Sequence, residues 1–154
     1  MPRRYEIPGA EPIEIEHLLL DVNGTLTARG ELIEGVAERL ARLRAELAVE
    51  LLSADTLGTL DAVAAELGVG AVRVARGAEK AELVRERGSR RCAAIGNGAN
   101  DAAMLAAAAL GIAVTGPEGA SARALAAADV VCASALDALD LLLDPKALAS
   151  TLRP

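Results

Sequence analysis

The chain has 154 residues, with 16 Lys plus Arg against 22 Asp plus Glu and a formal charge of −6. That is the length of one ordinary domain, and a mildly acidic chain without a basic run lacks the electrostatic footprint of a nucleic-acid binder. Hydrophobic residues make up 53% but aromatics only 1%, Tyr5 alone, which removes aromatic stacking platforms and cation cages and leaves an aliphatic, helix-rich interior.

Short apolar runs alternate with amphipathic stretches, the pattern of a parallel sheet covered by helices. Residues 17–20 (HLLL) continue the alternation of Ile13 and Ile15 and run into Asp21, which predicts the first strand. A helix over 35–47 follows, with Val36, Leu40, Leu43 and Leu47 on one stripe and Glu38, Arg39, Arg42 and Glu46 on a solvated face. Then come a strand at 49–53, a helix at 59–67, a strand at 72–75 and a helix at 79–87. The second half repeats the scheme with strands at 92–95, 112–114 and 130–132 and helices at 100–108 and 120–127. A last helix spans 136–143 and is stopped by Asp144-Pro145. The fold class is therefore α/β, a doubly wound and mainly parallel sheet between helix layers, in one domain over residues 1–154. His17 is expected in a strand with a local hydrogen bond, and Cys92 and Cys132 as inert packing residues. With one histidine and two cysteines the chain cannot build a Cys/His zinc cage. No apolar run reaches the roughly 18 residues needed to span a bilayer, and residues 1–5 do not open a signal peptide. The expected location is the cytoplasm, with no membrane partner and no nucleic acid.

Ligands of open parallel sheets bind beyond the carboxyl ends of the strands. The first strand is followed by Asp21-Val22-Asn23-Gly24-Thr25-Leu26-Thr27, the second ends in Ser53-Ala54-Asp55-Thr56, and the fourth runs into Gly96-Asn97-Gly98-Ala99-Asn100-Asp101. Lys80 falls at the start of the third helix. Small, polar and acidic residues thus gather at one edge of the sheet. Asp55 and Thr56 read as helix caps, and Ser53 reads equally as a cap or as a phosphate ligand.

DVNGTLT, LLSAD, Lys80 and GNGANDAAML, in that order, resemble the four motifs of the haloacid dehalogenase superfamily. They are most similar to soluble relatives of the phosphorylation domain of P-type ATPases, over nearly the whole chain. The resemblance implies a Rossmann-like three-layer sandwich and an Asp21 carboxylate that attacks phosphorus to give an aspartyl phosphate. It implies Mg²⁺ held by Asp21, the Asn23 carbonyl, Asn97 and Asp101, with the Lys80 ammonium balancing charge on the transferred group. Gly24, Thr25, Ser53, Lys80 and Asn100 are the implied phosphate ligands.

Two positions depart from the family pattern. Asn23 stands where its phosphatases carry an acid/base Asp, and Asn97 where they carry a metal-binding Asp. An amide neither delivers nor takes a proton, so a rate contribution of about 10²–10⁴ is lost. The site therefore suits activated phosphoryl donors, such as acyl phosphates, or small phosphorylated substrates turned over slowly. The alternative is a catalytically degenerate fold that serves as a phosphate-binding or regulatory module. The spacing leaves no room for a cap domain. An open mouth and the apolar side chains of residues 136–152 suggest a homo-oligomer.

Overall fold

The computed structural model describes residues 2–154. Met1, which begins the stretch judged not to be a signal peptide and the 1–154 domain, lies outside them. Among these residues the chain opens with an antiparallel pair, β1 (Arg3–Tyr5) and β2 (Ile13–Ile15), then enters β3 (His17–Asp21). A second small hairpin, β4 (Thr27–Ala28) and β5 (Glu31–Leu32), follows the Asp21 loop. The chain continues through α1 (Val36–Leu43), β6 (Ala48–Ser53), α2 (Leu60–Leu67), β7 (Gly70–Arg73), α3 (Gly77–Arg87) and β8 (Cys92–Gly96). After a 3₁₀ turn at Ala99–Asp101 come α4 (Ala102–Ala107), β9 (Leu110–Val114), α5 (Ala122–Ala127), β10 (Val130–Cys132), α6 (Ala135–Leu143) and α7 (Pro145–Leu152).

The main sheet is parallel, in the order β10-β9-β8-β3-β6-β7. The chain winds outward from β3 to β7, then crosses back to β8 on the other side of β3 and winds outward again. This is the doubly wound topology, and its direction reverses at β3. Alternation along the strands divides the interior. Leu18, Leu20, Leu51, Ala93 and Ile95 face α1, α2, α6 and α7, whereas Leu19, Leu52, Cys92 and Ala94 face α3, α4 and α5. Both clusters are aliphatic apart from Tyr5, which is fully buried and whose hydroxyl donates to the Leu142 carbonyl at 2.7 Å.

Several expectations shift. The first helix ends at Leu43 rather than 47, because Leu47 already leads into β6, and it starts beyond a left-handed Gly35. The third strand lies at Gly70–Arg73 rather than 72–75. It begins directly after the left-handed Gly68 ends α2, and the chain beyond Val74 is drawn into the start of α3, where Ala75 N–H donates to Glu79. Asp144-Pro145 ends α6 at Leu143 as expected, but that helix is not the last: Asp144 accepts from the Ala147 N–H at 3.1 Å and Pro145 opens α7. Leu139, Leu142 and Leu148 of this tail are buried within the chain, while Leu136, Leu141, Leu143 and Leu152 are partly buried. Leu57 and Val131 are the exposed large apolar side chains among the described residues. His17 lies in β3 as expected, but its buried Nδ1 has no hydrogen-bond partner. No helix among the described residues is long and apolar enough to cross a membrane.

Candidate active site

Asp21 is the last residue of β3, the strand at which the sheet reverses direction, so it stands where such sheets bind ligands. Alternation puts its side chain on the Leu19 side, under α3. That helix supplies Lys80, whose Nζ donates to Asp21 Oδ1 at 3.0 Å and to Asp101 Oδ1 at 2.7 Å. Lys80 is 2% exposed, Asp101 0% and Asp21 7%. An ammonium so deeply buried is tolerable only with opposite charge and full hydrogen bonding around it. Burial works against the charge on Lys80, but the carboxylates of Asp21 and Asp101 hold the ammonium above the usual lysine range. Burial pushes the Asp21 carboxyl up to about 6, and the neighbouring Asp101 carboxylate pushes the same way, against Lys80 and Thr25.

The surrounding loops hold this triad in place. The 3₁₀ turn returns Asp101 toward the end of β8, where its Oδ2 accepts from the N–H groups of Asn97 at 3.0 Å and Gly98 at 2.9 Å. Gly77 lets the start of α3 close on that turn: a Cβ there would lie 2.5 Å from the Asn100 carbonyl oxygen. On the other side, Thr25 Oγ1 lies 2.9 Å from Asp21 Oδ2 and 3.2 Å from Asn97 Oδ1, bridging the β3 loop to the β8 loop. The loop bends at Gly24, with φ of 78°, and a Cβ at that position would lie 2.8 Å from Asn97 Nδ2 and 3.3 Å from Glu118 Cδ. Glycine is needed on both counts.

The remaining predicted residues sit around this core. Ser53, 5% exposed, closes β6 one residue past the partner of Asp21 in the sheet. Its hydroxyl oxygen accepts from Asp55 N–H at 2.9 Å, which leaves its own proton to donate. It does not cap α2. Asp55 does so instead, accepting from Leu60 N–H at 2.9 Å, with Arg73 on its other oxygen. The bond from the Leu60 N–H, more than Arg73, holds the Asp55 carboxyl below its ordinary range. Asn23 is half-buried, in a backbone bridge to Thr27. Asn100 is exposed, and among the described residues its side chain makes no hydrogen bond to the triad. Asn97 does one job that requires an amide: Nδ2 donates to the Gly119 carbonyl at 2.9 Å, while Oδ1 lies 3.2 Å from the Thr25 hydroxyl, whose single proton goes to the nearer Asp21 carboxylate. The loop between β9 and α5 also brings Gly119 and Glu118 to the site. Its sequence, Thr-Gly-Pro-Glu-Gly, signals only a turn. The larger surface concavities, about 530 Å³ beside Arg44 and Gly68 and about 580 Å³ beside Arg42 and Pro145, include none of these residues.

Two carboxylates against one ammonium leave an excess of one negative charge beside a row of oxygen acceptors. Among the described residues no three His, Cys, Asp or Glu side chains converge as a metal cage. The oxygens present are Asp21, Asp101, the Asn23 carbonyl and Asn97 Oδ1, and both carboxylates keep lone pairs free beyond the bonds described. That set suits a hard cation that retains several waters, which is the preference of Mg²⁺.

Comparison with known proteins bears on this arrangement. The family model for haloacid dehalogenase-like hydrolases matches residues 3–109. The uncharacterized protein MJ0073 of Methanocaldococcus jannaschii is 44% identical over 72 residues, 47% of this chain and 77% of that protein. Among solved structures, the cobalt-bound deoxy-D-mannose-octulosonate 8-phosphate phosphatase YrbI of Haemophilus influenzae superposes with a TM-score of 0.70 at 21% identity, covering 91% of this chain and 94% of that one. The 3-deoxy-D-manno-octulosonate 8-phosphate phosphatase of Moraxella catarrhalis, in complex with magnesium, phosphate and a KDO molecule, superposes with a TM-score of 0.67 at 20% identity, covering 90% and 94%.

Proposed function

The chain belongs to the haloacid dehalogenase-like hydrolases, and from that premise we propose that it is a Mg²⁺-dependent phosphohydrolase or phosphotransferase working through an aspartyl phosphate on Asp21. One observation carries the reading: a carboxylate at the end of the central strand is paired with a buried lysine and left with oxygens facing the mouth of the sheet. A carboxylate buried beside an ammonium has no evident structural purpose at a strand end, whereas nucleophilic attack on phosphorus needs both. The phosphatases with the same fold act on a phosphorylated small molecule, and one is seen with magnesium and phosphate; both facts support the reading.

In this reading an Asp21 oxygen forms a bond to phosphorus as the bond from phosphorus to the leaving oxygen breaks, and the leaving group departs with its electron pair. Water then attacks phosphorus as the Asp21–phosphorus bond breaks, the electron pair returns to the Asp21 carboxylate, the proton lost by the water passes to solvent, and phosphate leaves. Lys80 sits against Asp21 throughout and offsets the charge of the phosphoryl oxygens; the Ser53 hydroxyl and the Gly24–Thr25 turn hold those oxygens. Asp21, Asp101, the Asn23 carbonyl and Asn97 would hold Mg²⁺, which when bound supplies further positive charge to the phosphoryl group. Asn23 offers no proton, so leaving groups that depart without one, such as acyl carboxylates, are the preferred class. The non-catalytic reading rests on Asn23 and on the structural use made of the Asn97 amide, whose Nδ2 donates to the Gly119 carbonyl.

Turnover of acetyl phosphate and of an alkyl phosphate monoester with Mg²⁺ distinguishes the two. Asp21→Asn is expected to abolish both activities. Asn23→Asp is expected to raise monoester turnover about tenfold while changing acetyl phosphate turnover little, because only the monoester needs a proton on its leaving group. Absence of turnover in a folded, Mg²⁺-loaded wild type would favour the regulatory module.

A further inference from the structure

We infer that Glu118 supplies to the metal, through its water shell, the negative charge that Asn97 lacks. This rests on the Mg²⁺-dependent reading above. The usual Asp of the fourth motif is an amide here, which leaves the site with only one negative charge in excess. A divalent ion held by so little charge would bind weakly.

Glu118 stands where a replacement would act. Its Cδ lies 3.3 Å from the space a Cβ on Gly24 would fill, and the Asn97 amide borders that same space at 2.8 Å. Gly24 follows Asn23, whose carbonyl belongs to the proposed ligand set, and Asn97 reaches Asp21 through the Thr25 hydroxyl. Among the described residues the Glu118 carboxylate has no ion-pair or hydrogen-bond partner, unlike Glu14, Glu16, Glu46 and Glu50, each of which meets an arginine.

The loop that presents it is fastened at several points. Thr115 N–H donates to the Cys132 carbonyl, Gly116 N–H to Ala133, Asn97 Nδ2 to Gly119 and Ser121 N–H to Asn97, all between 2.8 and 3.0 Å. Two of those bonds involve Asn97 itself. The residue that gave up a charge thus ties down the loop that brings another, and an aspartate at 97 could not donate to the Gly119 carbonyl. Since no third carboxylate converges with Asp21 and Asp101 as a cage, Glu118 acts at the distance of a bound water, the position from which outer partners tune a metal site.

The test is Mg²⁺ affinity of the whole protein, measured by calorimetry without substrate, with Mn²⁺ titration followed by electron paramagnetic resonance as a second probe. Glu118→Gln is expected to weaken Mg²⁺ binding about tenfold, and Glu118→Lys to weaken it further, the size seen when outer partners of metal ligands are removed. Glu38→Gln, the same loss of charge on α1, is expected to leave the affinity unchanged. Glu118 is exposed, so circular dichroism of its variants should match the wild type. Equal affinity in wild type and Glu118→Gln would overturn the inference while leaving the phosphohydrolase reading intact. A wild type that binds no Mg²⁺ would overturn both.

Discussion

At the scale of single residues, Asp21 is placed at a cost to the fold. Its carboxyl titrates near 6, above the ordinary 3.8, chiefly because burial disfavours the charged form. A folded-state pKa above the unfolded one means that the folded state binds the proton more tightly. The stabilisation so gained is fully present below about pH 4 and is lost as the pH rises through about 6. Replacing Asp21 by the uncharged, isosteric Asn removes that loss and leaves Lys80 paired with Asp101. In EDTA, Asp21→Asn is expected to melt at or above the wild-type temperature at pH 7.5, with the gap shrinking at pH 4.5. A variant that melts clearly lower at pH 7.5 would show that the Lys80–Asp21 bond outweighs the burial penalty. The residues proposed for this chemistry are legible from motif order, since they fall at or just beyond the ends of predicted strands. Glu118 was not, because its turn sequence says nothing about where the loop lands. Only the strand order, with β9 two places from β3, brings it to Gly24.

At the scale of elements, the central strands were read nearly to the residue because both sheet faces are covered and each strand is a continuous apolar run. The differences lie where one local signal has two readings. Asp144-Pro145 stops α6 at Leu143 as its sequence suggests, and it also starts α7, because Pro has no N–H to lose at the first position of a helix and a preceding Asp accepts from the third residue. Both conditions hold at α7. The cap is therefore expected to matter: Asp144→Ala should cost about 1 kcal/mol, within the range of lost caps, read as a shift in the urea midpoint with unchanged slope. An unchanged midpoint would mean that α7 is held by the buried Leu148 alone. The two small hairpins escaped notice because two- and three-residue strands are too short to show alternation.

At the scale of the whole molecule, a nearly all-aliphatic interior forms two cores, one on each face of the sheet, and the reversal of chain direction at β3 leaves Asp21 facing the mouth between the following loops. No domain is inserted between β3 and α1 or between β6 and α3, which are the stretches where a cap would emerge. Every role proposed for the site depends on Asp21 being a nucleophile toward phosphorus. The direct measurement is mass spectrometry of the intact protein and its peptides after brief exposure to acetyl phosphate and Mg²⁺ and an acid quench. The expected result is one added phosphoryl group, mapped to the peptide containing Asp21, absent from Asp21→Asn and removed by hydroxylamine. A folded wild type that gains no phosphoryl group, or an Asp21→Asn variant labelled to the same extent, would contradict it.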